Sequence, residues 1–494
     1  MADKYQADAE GFRLPIKVDT TSNGEFVPIP LTKVNQEANR LALRRATDNA
    51  RTTGSSRRGF LRSSCGAATT LLAMNQVNAA AGKLGGYFEL PKDAAFDVQL
   101  ADAHIEGDEF IFDVQGHYVD PNGAWLAQVP EFARPFSFAP KAECDLKTDD
   151  NPHAYLDCLG PEEFVKDVFL DSDTDIMVLS FVPSTADSEP VTIEAADATR
   201  RIVDEMEGTQ RLMLHGRVNP NQPKDLDSMD ALVEQWGISA WKTYTQFGPE
   251  GKGYYLSDDI GLEFIEKARS LGVKVICVHK GLPLGRNSYE HSQCRDIGIV
   301  AKQYPDVSFI VYHSGYVAGK PELPYEHDAA RDGVDTFVKS LLDNEIEPNT
   351  NVYAELGSTW RFLMREPDDA AHAIGKLLKY CGSDNVLWGT DSIWYGSPQD
   401  QIQAFRNFQI AEALQDAYGY PEITPELRRK VFGLNAAVPY NIGVDELQFR
   451  AGTDRIERLR ANYRNNPNPH FTTYGPKTRR EFFNLLRRQG GQPA

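Results

Sequence analysis

Cysteine is scarce in this chain, six in 494 residues, and no two of the six form a Cys-x-x-Cys pair. Cys65, Cys144, Cys158, Cys277, Cys294 and Cys381 are scattered, which argues against a thiolate zinc site or a dense disulfide framework. No apolar run reaches about 18 residues, so no ordinary transmembrane helix and no integral membrane segment is expected. Positive charge is also short: 71 Asp and Glu face 52 Lys and Arg, a formal net charge of −19. That balance repels a phosphate backbone at long range and argues against a nucleic-acid partner. What is present is a 41% hydrophobic content, enough for a sizeable core and incompatible with disorder throughout. At about 150 residues per domain the length suggests roughly three domains, although one α/β barrel absorbs about 250 or more.

The N-terminal stretch, to about residue 55, is polar and of mixed charge without a sustained period, and reads as a loosely ordered extension. Ser56-Arg57-Arg58-Gly59-Phe60-Leu61-Arg62 follows, then the mildly apolar run Gly66 to Met74 and the small residues Ala79, Ala80 and Ala81. A positive region, a modest apolar region and an Ala-rich end are the parts of an export signal. Arg57 and Arg58 followed by Phe and Leu resemble a twin-arginine signal, which sends folded proteins across the membrane to the periplasm. A solvated basic linker is the plain alternative, with the protein then cytoplasmic. Export signals sit at the N-terminus, and this one lies far inside the chain.

From Glu109 onward, short β-branched and aromatic runs alternate with amphipathic helical stretches. The expected strands are Phe110–Gln115, Asp175–Phe181, Arg211–Val218, Ile238–Tyr244, Lys274–His279, Ser308–His313, Asn351–Glu355 and Asn385–Thr390. Helical patterns separate and follow them, the last spanning 399–417. Runs such as Val275-Ile276-Cys277-Val278 and Phe309-Ile310-Val311-Tyr312 are continuously apolar, as parallel strands covered on both faces are. Strand and helix in alternation predict an α/β protein, a (β/α)8 TIM barrel. An open doubly wound sheet fits less well, because no Gly-x-Gly-x-x-Gly turn follows the first strand. Residues 118–173, between the first two strands, form a long insertion on the face where barrel active sites lie. It carries Trp125, Phe132, Phe136, Phe138, Cys144 and Cys158, and reads as a lid or as a surface elaboration for subunit contacts. The expected organisation is an extension at 1–80 with the signal at 55–80, a barrel at 81–443, and a C-terminal helical arm at 444–494. The arm is rich in Arg, as a solvated helix face or as a surface for an acidic neighbouring subunit.

The chemistry belongs where the strands end. The first expected strand leads to His117, and others end in His279, His313 and Glu355; Asp391 follows the last and Lys242 lies within the fourth. Three of ten histidines at separate strand ends of one barrel, with an acid ending the last strand, suit a divalent transition ion. The segments Asp113-Val114-Gln115-Gly116-His117, Val278-His279-Lys280-Gly281, Tyr312-His313-Ser314-Gly315-Tyr316 and Leu387-Trp388-Gly389-Thr390-Asp391-Ser392 resemble the amidohydrolase-related barrels. Within that family they are most similar to the branch of aminocarboxymuconate semialdehyde decarboxylase and the hydroxybenzoate-type decarboxylases. The Arg428–Ala437 stretch resembles the family's terminal helix. The resemblance covers about residues 109–443.

The resemblance implies His117 and His279 as metal ligands, Asp391 as a ligand and proton acceptor, and His313 as the group that orients or polarises the substrate. It implies one divalent ion, zinc first and manganese as the alternative, and a small-molecule, homo-oligomeric enzyme, dimeric or larger. Where the family usually has His or Glu as the first member of the first-strand pair, this chain has Gln115, a neutral donor. Gln115 either ligates weakly, stands behind the ligands, or marks a site that has lost its metal. Lys242, Glu355 and Trp394 are candidates for substrate binding, with Lys242 and Glu355 open to structural roles. The leading expectation is a metal-dependent hydrolase of a small organic molecule through activated water, with aromatic strand ends that suit an aromatic substrate. A non-oxidative decarboxylase on the same residues and an inactive binding barrel are the alternatives.

Overall fold

The computed structural model describes residues 14–18, 27–128, 154–207, 210–283, 288–445, 452–467, 478–480 and 482–483. One short strand, β1 (Gly86–Phe88), precedes the barrel. The barrel strands are β2 (Phe112–Gly116), β3 (Ile176–Leu179), β4 (Leu212–Arg217), β5 (Ala240–Tyr244), β6 (Val275–His279), β7 (Ser308–Tyr312), β8 (Val352–Glu355) and β9 (Val386–Leu387). They neighbour one another in that order, all parallel. The last strand meets the first through a bridge between Gly116 and Ser392. Asp391 N donates to Gln115 O at 3.0 Å and Val114 N to Trp388 O at 3.1 Å across the same seam. The result is a nearly closed TIM barrel of the α/β class.

The apolar runs become strands because both faces are covered. Phe112, Val114, Val178, Cys277, Ile310, Tyr312 and Leu387 pack inside the barrel, while Ile276, Val278, Phe309 and Val311 pack outward beneath the helices. A tail strand, β10 (Phe408–Ile410), pairs antiparallel with β1 outside the barrel. It interrupts the single helix expected over 399–417, leaving helices Gln399–Asn407 and Glu412–Tyr418 on either side.

The N-terminal stretch differs most from expectation. Helix α1 (Lys33–Thr52) opens with a capping box between Thr32 and Asn35. Its buried stripe of Ala38, Ala42, Leu43, Ala46 and Ala50 packs into the core. That stripe is built mostly of alanine, so it is too weakly apolar to stand out, yet it permits close helix approach. Helix α2 (Arg57–Leu61), which carries Arg57 and Arg58, is capped by Ser56. Helix α3 (Ser64–Ala80) buries Cys65, Ala67, Ala68, Leu71, Ala73 and Met74 in the same core. The run that resembles a signal is therefore a packed helix in the folded chain.

The helix Arg455–Arg464 has acidic partners within its own chain, and its first turn follows an acid that pairs with the barrel. Arg464 pairs with Asp173, Arg460 stands 3.6 Å from Asp175, and Arg211 Nε donates to Asp454 at 2.7 Å. Residues 129–153, including Phe132, Phe136, Phe138 and Cys144, lie outside the described residues, and with them the centre of the insertion read as a lid. Cys158 is disulfide-bonded, whereas Cys65, Cys277, Cys294 and Cys381 are free. Among the described residues no helix is long and apolar enough to cross a membrane.

Candidate active site

The barrel seam between β2 and β9 builds the site. Asp113 on β2 accepts from Gln115 N at 3.0 Å and Thr390 N at 3.1 Å, and also from the Thr390 hydroxyl. Burial lifts its pKa to about 7 against the pull of those bonds. Asp113 thus pins the chain just before Asp391 against β2. Beyond it, Gln115, His117 and Asp391 converge. Gln115 Nε2 lies 3.0 Å from Asp391 Oδ1 and 3.3 Å from His117 Nε2. His117 Nε2 lies 3.0 Å from the same carboxylate oxygen.

These contacts constrain the protons. His117 Nδ1 donates to Ser180 O at 3.0 Å, which leaves Nε2 facing Asp391 either as the second N–H of an imidazolium or as a lone pair beside a bound cation. Two acceptors at that distance need a positive charge, a proton or a metal ion, beside them. Burial alone would raise the Asp391 carboxyl, but His117 and His313 hold it below the ordinary carboxylate range. Its other oxygen accepts from Ser358 Oγ, which stands 2.8 Å from Tyr395 OH. Trp394 stacks on the His117 ring with centroids 5.3 Å apart, which fixes the imidazole plane.

His279 and His313 form a second pair, ring centroids 4.5 Å apart. His279 Nε2 donates to Leu282 O at 3.2 Å and His313 Nδ1 to Gly357 O at 2.6 Å. The opposite ring nitrogens, His279 Nδ1 and His313 Nε2, are buried without a hydrogen-bond partner, as is Gln115 Oε1. Burial lowers His313 to about 4 and His279 well below its usual value. Both rings are neutral at pH 7, so their free nitrogens accept rather than donate. Glu355 stands behind this pair, accepting from His313 N at 2.9 Å and Gly357 N at 2.5 Å. Burial raises it to about 8, making it a protonated prop for the turn. Lys242, fully buried, sets its ammonium 3.5 Å from the centre of the Tyr312 ring.

The structure therefore joins Gln115, His117 and Asp391, and puts His279 with His313. Among the described residues, no group of three His, Cys, Asp or Glu side chains is set to hold a metal; the third donor beside His117 and Asp391 is an amide. The three atoms make a triangle of edges 3.0, 3.0 and 3.3 Å. One corner of the triangle is the Gln115 amide nitrogen, which cannot ligate, so a bound ion would need the amide oxygen in its place. A half-turn of the Gln115 amide would bring the unpartnered Oε1 into that corner and turn Nε2 toward the side where Glu355 lies. There a Cβ added to Gly357 would meet Gln115 Oε1 at 2.3 Å and Glu355 Oε1 at 2.4 Å. The residues present fit one divalent ion. Asp113 stood in the first-strand motif without a role, and Ser358 and Tyr395 are single polar residues that acquire each other as partners only through the fold.

The amidohydrolase family's model matches residues 112–442, well over half of the chain, and the chain belongs to that family. No curated protein matches the chain. Among solved structures it is similar to 2,6-dihydroxybenzoate decarboxylase from Rhizobium, at 15% identity and a TM-score of 0.39, over 67% of this chain and 99% of that one. It is also similar to 5-carboxyvanillate decarboxylase from Novosphingobium aromaticivorans, complexed with manganese, at 12% identity and a TM-score of 0.43, over 68% and 96% of the two chains. A putative amidohydrolase from Staphylococcus aureus shares 13% identity with a TM-score of 0.37, over 67% and 99%.

Proposed function

We propose that this chain is a metal-dependent hydrolase acting on a small organic molecule. The observation that carries the reading is the convergence of acceptors: Asp391, His313 Nε2, His279 Nδ1 and Gln115 Oε1 gather at one end of the barrel, with His117 Nε2 beside the Asp391 carboxylate. A cation with its water is the complement of such a set. When bound, a divalent ion supplies Lewis acidity and lowers the pKa of water toward about 7. Gln115, His117 and Asp391 would hold it. A donor set of one imidazole, one carboxylate and one amide oxygen would suit zinc or manganese. Asp391, kept ionised, accepts a proton from water and returns it to the leaving group. His313, neutral and fixed by Gly357, offers Nε2 as a second acceptor for a water or substrate proton. As an acceptor it would orient the substrate, one of the two roles the resemblance implies, while its one N–H is spent on Gly357.

Decarboxylation is the second reading, favoured by Lys242. An ammonium buried beside Tyr312 and Tyr244 is a charge complement for a substrate carboxylate. The deciding experiment presents the manganese-loaded protein with aromatic carboxylic acids and with amides, esters and lactones. Hydrolysis without CO2 release supports the first reading, and CO2 release selects the second. Protein that takes up no divalent ion, and is unaltered by His117→Ala, would defeat both.

A further inference from the structure

Ahead of the barrel, residues 14–18 lie buried against the chain that carries Asp391. Leu14, Ile16 and Val18 are at most 2% exposed, and Lys17 among them is 3% exposed. An ammonium buried to that degree needs partners, and its partners sit on the active-site segment. Lys17 Nζ donates to Tyr395 O at 2.9 Å and stands 3.8 Å from the Asp400 carboxylate. Asp400 also accepts from Lys17 N at 3.1 Å. From the opposite side Arg361 donates to Lys17 O, and Arg365 to Val18 O at 3.2 Å. Arg361 lies in the helix Thr359–Leu363, which Ser358 opens, and Arg365 lies just beyond it. Residues 14–18 are thus clasped between the two segments whose hydroxyls meet at Asp391, Ser358 from one and Tyr395 from the other.

The sheet alone does not fix this region. β9 ends at Leu387, and Asp391 and Ser358 both have left-handed backbones, φ 62° and 54°. Segments of that kind are held by anchors from elsewhere in the fold. We propose that Lys17 is a positioning residue for the Asp391 carboxylate, acting through the Tyr395 main chain and the Tyr395–Ser358 hydroxyl pair. The proposal rests on reading Asp391 as the reacting carboxylate. It ties a segment outside the family match to the geometry of the site.

Lys17→Met keeps the aliphatic stem and removes the charge, while Lys17→Arg keeps the charge. Hydrogen exchange on the full chain reads the effect directly. Ile393 N and Gly396 N, bonded to His117 O and Ile393 O at 3.0 Å each, report the order of the segment. In Lys17→Met their exchange is expected to quicken about tenfold, the worth of roughly one hydrogen bond, with β5 and β6 unchanged. Lys17→Arg is expected to restore most of the protection. Unchanged exchange over 391–400, or acceleration spread evenly through the barrel, overturns the proposal. Titration with Mn2+ alone, followed by electron paramagnetic resonance, separates this inference from the functional reading. A wild type that takes up no Mn2+ defeats the cation reading, and the exchange comparison still decides the role of Lys17.

Discussion

Replacing Gln115 by Glu sets a carboxylate oxygen where the amide nitrogen now stands, 3.0 Å from Asp391 Oδ1. Without a cation, two like charges at that separation repel by about 5 kcal/mol at an effective dielectric constant near 20, a ceiling that protonation of one partner reduces. Both side chains are buried, at 1% exposure, so water offers little relief. Metal-free Gln115→Glu is therefore expected to unfold several degrees below the metal-free wild type at pH 8. A divalent ion on the same three donors reverses the sign, because the added charge then faces the cation. The variant should gain more in melting temperature from Mn2+ than the wild type does, and bind it about tenfold to a hundredfold more tightly. Differential scanning fluorimetry with and without Mn2+, and a titration of Mn2+ into each protein, supply the numbers. An apo variant as stable as the wild type, with an equal Mn2+ shift, would refute the cation site at the Gln115–His117–Asp391 triangle.

Lys376→Met should cost about 3–5 kcal/mol, because Lys376 is fully buried between Glu322 at 2.5 Å and Asp335 at 2.6 Å; chemical denaturation measures it, and a loss under 1 kcal/mol, within about the ordinary surface range, counts against it. Asp369 is raised to about 6 by burial and then by Glu366, so the folded state holds its proton more tightly than the unfolded chain. Its contribution to stability therefore falls as pH rises from about 4 through about 6 and stays low above that. Asp369→Asn should flatten this slope and stabilise the protein at pH 7 by about 1 kcal/mol after discounting for exposure, measured by denaturation across pH. The intact mass of the purified full chain should include residues 14–80, because α1, α3 and Lys17 are core elements; a folded, equally stable product lacking them would contradict that packing.

The barrel was legible because its strands are buried on both faces, so runs such as Phe309–Tyr312 carry an apolar signal that needs no periodicity. The site was legible in part for a related reason. Histidines ending buried strands stand out against apolar neighbours, and His117 and Asp391 do meet. The pairing of His279 with His313, and the engagement of Gln115, depend on side-chain rotamers that spacing does not carry. Helix α1 was hidden because its packing stripe is mostly alanine, set among Arg, Asn and Thr. β10 was hidden because its pairing with β1 spans more than 300 residues, Gly86 opposite Ile410. Ser358 and Tyr395 become partners only through the turn after β8 and the bend after β9.

The seam that closes the barrel also dates the site. Gln115 and Asp391 are 276 positions apart, and no shorter fragment of the chain contains both sides of the triangle. A ribosome delivers β2 early and Asp391 late, so the emerging polypeptide carries an amide and an imidazole that await their carboxylate. Lys17 waits longer still, 378 positions for Tyr395 and 383 for Asp400. If the triangle holds the proposed cation, its capture would come among the last events of folding, after the final strand docks. On that proposal a metal-competent molecule would be one whose first and last barrel strands have already found each other, and ion uptake would serve as a readout of completed assembly.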